Sequence, residues 1–365
     1  MIPLWKIQRE WQSLQMQLDA VVDRIVGPAR QRRRDAAFPS ALRAFDGSDA
    51  LHEKVAIFLV YQPHGVAATV RQTCEHLSYR GYSVLLVSNT PLGNSDRDDL
   101  SHAVWRFVER DNFGYDFGGY RDGIQLLQHW GIAPEQTLVL NDSIWFPVRP
   151  DETLTQQFEA SPAGFIGAFR FVDPPAHDTE HAGIFLSYML CFKKSVWLSD
   201  AFRDYWRNYI CTSNKMLTVK RGERGLSRAL FAAGLPSEGV YSRDRLLAAI
   251  ARQSNAFLRL ALNYAAYTDA SLQDERNALL LDFADQESWR LRALIHIEAV
   301  AVRRNPLSVF CYASMHLLGV PFLKKNRGEL QVRMRQQYVR AVTNGDLPHP
   351  GEAAWAEIQA GNKSA

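Results

Sequence analysis

Cysteine is scarce in this 365-residue chain: Cys74, Cys191, Cys211 and Cys311 stand far apart, with no CxxC pair and no Cys/His grouping at zinc spacing. That excludes a disulfide framework and a structural zinc site, and it fits a reducing compartment. An excess of one charge is also lacking. The formal net charge is +3, too mild a balance to mark a nucleic-acid binder. Long hydrophobic runs are missing as well. The nearest, LSVFCYASMHLLGVPFL at 307–323, is interrupted by Ser308, Ser314, His316 and Pro321, which argues against a spanning helix. The opening MIPLWKIQREWQ has no apolar stretch of the kind a secretory signal needs. Low complexity and internal repeats are absent. With 47% apolar and 22% charged residues the chain is not disordered, and the expectation is a cytoplasmic globular protein.

Between the absences, the pattern is informative. Leu4, Ile7, Trp11, Leu14, Leu18, Val21, Val22 and Ile25 recur at three- and four-residue spacing, predicting an amphipathic helix that ends at Gly27-Pro28. A basic run at 31–34 and a polar linker follow, so 1–51 reads as an N-terminal helix and linker. From Val55 the period changes. VAIFLVY (55–61), SVLLVSN (83–89), VWRFVER (104–110) and TLVLND (137–142) are short strand-like runs separated by helical stretches. GFIGAFRF (164–171) and IFLSYMLCF (184–192) extend the series. Alternation of this kind predicts an α/β fold, a mostly parallel sheet with flanking helices over 52–240. The remainder, 241–365, reads as helical: 243–265, 271–283, 286–302 and 307–319, then a charged tail helix.

In open parallel sheets ligands bind beyond the carboxyl ends of the strands, and three segments there carry chemistry. DNFGYDFGGYRDG (111–123) combines Gly114, Gly118 and Gly119 with Asp116 at the start of a helix, suited to a diphosphate. Neither a GxGxxG spacing nor a Walker lysine is present, and Asp116 as a plain N-cap with turn glycines fits the residues equally well. LVLNDSIWFP (138–147) runs a strand into Asn141-Asp142, either a hard-cation and diphosphate site or a strand-ending turn. KRGERGLSRAL (220–230) opens a helix at Glu223 amid Lys220, Arg221 and Arg224. Glu223 is there either a general base or a solvated ion-pair member. His181 is a weaker candidate, a lone loop histidine.

The order of VAIFLVYQPHG, VLLVSN, RDNFGYDFGGYRDG, LVLNDSIWFP, GIFLSYMLCFKKSVW, ERGLSRALFAAGL and NPLSVFCYASMHLLGVPFLKK resembles the rhamnan-synthesis F family, bacterial glycosyltransferases of cell-wall and O-antigen polysaccharide assembly. The likeness runs from about Val55 to Lys325 and extends to the wider GT-A type. It implies a GT-A-like catalytic domain in which Tyr61, Gln62 and His64 border the nucleobase and Ser88-Asn89 lie near the nucleoside. Asn112, Gly114, Asp116, Gly119 and Arg121 would face the nucleotide sugar. Asn141-Asp142 stands where GT-A enzymes place an Asp-x-Asp, with Asp142 as catalytic and metal residue for Mg2+ or Mn2+. Arg121, Arg170 or Lys220 would neutralise the diphosphate in a metal's stead, and Glu223 matches the base of inverting members.

The partners implied are a dTDP-L-rhamnose-like donor and a lipid-linked glycan acceptor, not nucleic acid. Arg303, Arg304, Lys324, Lys325 and Arg327 flank the apolar 307–323 segment, and Trp5 and Trp11 lie in the first helix. Both ends are therefore read either as core helices or as peripheral docking elements for the inner face of the cytoplasmic membrane. A catalytically silent scaffold of a polysaccharide-assembly complex is the alternative function. A sugar nucleotidyltransferase is disfavoured because no basic Gly-rich loop follows the first strand.

Overall fold

The computed structural model describes residues 4–173 and 183–363, and side chains throughout these except at 4–10, 12–19 and 362–363. Buried runs of strand formers place β2 (Lys54–Val60), β3 (Tyr82–Ser88), β4 (Arg106–Glu109), β5 (Gln136–Asn141) and β7 (Phe165–Phe171) where the apolar runs predict them. They join β1 (Arg43–Asp46), β8 (Ile184–Phe185), β9 (Met189–Lys193) and β10 (Ser237–Ser242) in one sheet of order β1-β4-β3-β2-β5-β9-β7-β10, with β8 on β7. From β4 to β5 all neighbours are parallel. Because β9 is antiparallel to both β5 and β7, β7 and its parallel partner β10 run in that same direction, so the sheet is mostly parallel. The carboxyl ends of β2, β5 and β7 thus share one edge. Helices flank both faces, completing the expected α/β architecture.

Four local expectations are corrected. The first helix does not stop at Gly27-Pro28 but continues to Ala36. A helical proline forfeits one N–H bond; here the turn beyond it is held by tertiary contacts. Gln31 is buried and donates to Asp35, Arg34 pairs with Asp122, and Asp35 accepts from Arg121 at 2.8 Å. The polar linker to residue 51 contains β1, which pairs antiparallel with β4. IFLSYMLCF is two strands, not one. The Phe185 N–H donates to Ser227 Oγ at 3.1 Å and Ser187 bonds Glu223, so helix Glu223–Ala232 claims the residues between. Finally, 243–265 is broken into Arg243–Ala251 and Asn255–Asn263, where Ser254 caps the second helix by accepting from the Phe257 N–H at 3.3 Å.

The C-terminal helices do not stand apart. One apolar cluster contains Phe58, Leu86 and Leu140 of the sheet together with Phe310, Tyr312, Met334 and Ile358. Two further strands, β6 (Ile144–Trp145) and β11 (Leu323–Lys324), pair antiparallel and pin the chain after the apolar segment to the loop after β5. Within 307–323, Val309, Phe310, Cys311, Ala313 and Met315 are buried in this core. Among the described residues no helix is long and apolar enough to cross a membrane.

Helix Tyr115–His129 lies against β2, and Gly119 makes that approach possible. A Cβ there would come within 2.3 Å of Leu59 Cδ1. We expect Gly119→Ala to lose about 1–3 kcal/mol of stability through overpacking, read as a lower urea midpoint at an unchanged slope. A midpoint equal to wild type would show that the close approach is not a constraint.

Candidate active site

Three carboxylates reach the carboxyl edge of the sheet from different elements. Asp142 follows β5; its Oδ2 accepts the Tyr61 N–H at 2.9 Å and the Gln62 amide at 2.7 Å. Gln62 is itself fixed, since its Oε1 accepts the Ala67 N–H at 3.1 Å. The stretch after β2 therefore clamps the aspartate after β5. Burial raises the Asp142 carboxyl above its ordinary value, against these two donors and the nearby Lys325.

Asp116 sits in the first turn of the helix Tyr115–His129. The chain enters that helix through two successive residues in the left-handed region, Gly114 (φ 88°) and Tyr115 (φ 50°). A tyrosine in that region is a true outlier, and such backbone clusters at functional sites. Burial pushes the Asp116 carboxyl up to about 6, with the charges of Asp142 and Glu223 adding to it and those of Lys324 and Lys215 opposing.

Glu223 opens the helix Glu223–Ala232, and its Oε1 accepts both the Ser187 N–H at 3.0 Å and the Ser187 hydroxyl at 2.7 Å. A buried relay connects it to β5. Asn141 Nδ2 donates to the Tyr120 hydroxyl at 2.8 Å, and that hydroxyl donates to the Ser187 carbonyl at 2.8 Å. Tyr120 lies four residues after Asp116, on the same side of one helix. The relay thus ties together β5, the glycine-rich helix, the turn between β8 and β9, and the Glu223 helix.

Two cations of the site come from the far end of the chain. Lys324 lies in β11 with its ammonium 4.3 Å from the Tyr188 ring centre. Burial lowers its pKa while Glu223 and Asp116 raise it. Lys325 is likewise lowered by burial and sustained by Glu357, 3.8 Å away, and by Asp142. These lysines, which the sequence suggested as membrane flanks, are inward-facing partners of carboxylates. Next to Tyr115, a groove of about 280 Å³ is lined by Val22, Val26, Arg30, Ser213 and Lys215.

The other sequence candidates fall into two groups. Tyr61 and His64 are exposed on the loop after β2, and Asn112 is exposed ahead of Gly114. Lys220 is exposed on the helix preceding Glu223. These remain accessible to a ligand. The second group is committed to the fold. Ser88 Oγ donates to the Thr90 carbonyl at 2.6 Å, and Asn89 accepts from Arg110, whose Nε pairs with Asp122 at 2.6 Å. The Arg121 guanidinium turns from the edge to the Trp206 carbonyl at 3.0 Å and to Asp35. Arg170 spends a guanidinium nitrogen on the Ser237 carbonyl at 2.9 Å, at the start of β10. Asn141 spends its amide on Tyr120 and both lone pairs of its oxygen on Ser143, the N–H at 3.0 Å and the hydroxyl, so it has no oxygen to give a metal. Gly119 serves packing. His181 lies outside the described residues.

Sequence reasoning missed Tyr120, Ser187, Lys215 and Lys324. Tyr120 and Ser187 belong to the quoted motifs, but their hydroxyls gain meaning only when β5 and the Glu223 helix meet. Lys324 had no local signal, since its place follows from the pairing of β11 with β6.

A family model described as rhamnan synthesis protein F matches residues 84–257. The uncharacterized protein y4gN of Sinorhizobium fredii is 31% identical over 267 residues, covering 72% of this chain and 68% of y4gN. Among solved structures, the mannosyltransferase PcManGT from Pyrobaculum calidifontis, in complex with GDP-Man and Mn2+, aligns with a TM-score of 0.32 at 10% identity over 96% of both chains. A glycosyltransferase involved in the glycosylation of the major capsid of PBCV-1 aligns with a TM-score of 0.27 at 14% identity, over 46% of this chain and 74% of its own.

The raised Asp116 carboxyl makes a pH prediction. The folded state holds this proton more tightly than the unfolded chain, whose aspartates titrate near about 3.9. Ionisation of Asp116 therefore destabilises the fold progressively as pH rises from there to about 6, and fully above it. Asp116→Asn removes the penalty. Its urea midpoint, relative to wild type, is expected to climb across that window and then level off; a pH-independent difference would contradict the assignment.

Proposed function

Because the chain belongs to the rhamnan synthesis protein F family, we propose that it is a glycosyltransferase whose catalytic edge is the Asp116–Asp142–Glu223 cluster with Lys324. The observation that carries the reading is this convergence: three carboxylates and a half-buried lysine at the strand ends where α/β sheets bind ligands, in a member of a polysaccharide-synthesis family. The donor is a nucleotide-diphosphate sugar, and the family's description as rhamnan synthesis proteins supports a deoxyhexose, L-rhamnose on a dTDP-like carrier. The acceptor is a hydroxyl of a growing, lipid-linked cell-surface polysaccharide.

Transfer to a hydroxyl requires three things: a base for the nucleophile, stabilisation of positive character at the anomeric carbon, and compensation of charge on the departing diphosphate. Glu223 is the base. Ser187 fixes one of its oxygens, which orients the carboxylate towards the site. A base separate from the leaving group suits an inverting single displacement. Asp142, clamped by the loop after β2, orients the donor, and Asp116 faces it across the glycine-rich turn. Lys324 and Lys215 replace Arg121 and Arg170 as cations for the diphosphate, because the two arginines are bonded elsewhere.

Mg2+ or Mn2+ fits one mode only. Among the described residues no cluster of three metal-ligating side chains occurs, and Asn141 is committed. Asp142 with Asp116 would hold a cation that takes its other ligands from water and the donor's phosphates, the usual mode for Mg2+. Bound there, it would supply further positive charge to the leaving group.

Glu223→Gln is expected to retain donor affinity and lose roughly 10²–10⁴ in turnover, the usual worth of a positioned base. Near-wild-type turnover would remove Glu223 from that role. Asp142→Ala should weaken donor binding in calorimetric titration with and without Mn2+; unchanged affinity in both would move the donor elsewhere. The scaffold alternative differs in a direct way, for a scaffold releases no nucleoside diphosphate from any donor in the absence of acceptor.

A further inference from the structure

The helix Leu4–Ala36 turns its smaller and more polar side towards the rest of the molecule. Ala20, Asp23, Gly27 and Gln31 are buried, with Asp23 bonded to Arg221 at 2.8 Å and Gln31 accepting the Cys211 N–H at 2.9 Å. Its large apolar residues point the other way: Trp11, Val21, Val22 and Ile25 are 60%, 52%, 56% and 75% exposed. This arrangement inverts what a helix packed on its own core shows. Along the sequence, Leu4, Ile7, Trp11, Leu14, Leu18, Val21 and Ile25 alternate spacings of three and four without interruption. That is the a/d seam of a coiled coil over three heptads, and Ala20, Asp23 and Gly27 fall at the positions opposite it.

We propose that this helix pairs with the same helix of a second copy of the chain, antiparallel, to form a dimer. Charge at the flanks of the seam selects the occupant and its direction. In an antiparallel pair centred near residue 16, Ile7 meets the partner's Ile25, Trp11 meets the partner's Val21, and Leu14 meets the partner's Leu18. That register sets Glu10 beside the partner's Arg24, twice by symmetry. Shifting it by one heptad loses both charge pairs and leaves either Ile25 or Ile7 without an apolar partner, depending on the direction. A parallel pair instead sets Glu10 against the partner's Gln15 and Arg24 against the partner's Ala29, with no charge matched. Antiparallel pairing also places the two α/β bodies at opposite ends of the bundle, since the buried positions of the described helix residues run from Ala20 to Gln31. A membrane surface suits this helix less. The residues beside the seam are Gln8, Glu10, Gln15, Gln17, Val22 and Arg24, not the Lys/Arg-rich border of an interfacial helix.

Charge exchange on the full chain tests the proposal, with mass read by sedimentation equilibrium and folding by circular dichroism. Wild type is expected at twice its 41.4 kDa. Glu10→Arg and Arg24→Glu should each weaken dimerisation at least tenfold, the double variant should regain it, and an equimolar mixture of the two single variants should form a heterodimer. Ile25→Glu should be monomeric with an unchanged spectrum. A wild-type monomer at micromolar concentration overturns the proposal. So does a dimer indifferent to both charge reversals, or a monomer that sediments with anionic phosphatidylglycerol vesicles through the Val21–Ile25 face.

Discussion

A single buried hydroxyl holds the site together. Tyr120 accepts from Asn141 and donates to the Ser187 carbonyl, and Ser187 in turn holds Glu223 with two donors. Each bond is ordinary in length, but in a dry setting an unmet partner costs about 1–3 kcal/mol, so the relay is all-or-none. It fixes the spacing of elements far apart in sequence. Asp116 and Tyr120 share a helix, Asn141 and Asp142 are adjacent, and Glu223 opens another helix. Once the hydroxyl is satisfied on both sides, the elements that carry the three carboxylates are held together, near enough for Asp142 and Glu223 to act on Asp116 electrostatically.

That closeness has electrostatic consequences that the lysines moderate. Burial raises Asp116, the like charges of Asp142 and Glu223 add to the rise, and the opposing charges of Lys324 and Lys215 keep it within bounds. An anionic diphosphate leaving group would meet an acidic cluster unfavourably were it not for these cations. The same region shows how β11 matters: a two-residue strand on β6 brings an ammonium from the helical end of the chain to the α/β edge. Whatever disturbs the C-terminal helices should therefore register in the site.

Much of this was legible in the residues. The strands of the sheet announced themselves as short buried apolar runs, because a mostly parallel sheet covered on both faces needs them. NFGYDFGGYRDG and LVLND stood out as the segments at strand ends, and both contribute carboxylates to the cluster. What could not be read was direction and commitment. Arg121 and Arg170 look like diphosphate ligands in one dimension, yet one answers the orphan carbonyl at a helix end, Trp206, and the other a strand carbonyl, Ser237. Pro28 read as a stop, but ion pairs made by Arg34 and Asp35 outweigh the bond it forfeits. Lys324 read as a membrane flank because cationic residues beside an apolar segment look the same whether lipid or protein covers that segment.

The central claim is that the carboxylate edge binds a nucleotide-diphosphate sugar. Its most direct test is thermal unfolding of the wild-type chain against dTDP-, UDP- and GDP-sugars, each with and without Mn2+, and against the free sugars. A ligand that binds only the native state raises the melting point in proportion to the logarithm of its concentration. The account predicts such a rise with at least one nucleotide-diphosphate sugar, dTDP-L-rhamnose foremost, and none with the sugar alone. A melting point unmoved by every nucleotide sugar, with or without metal, would contradict it.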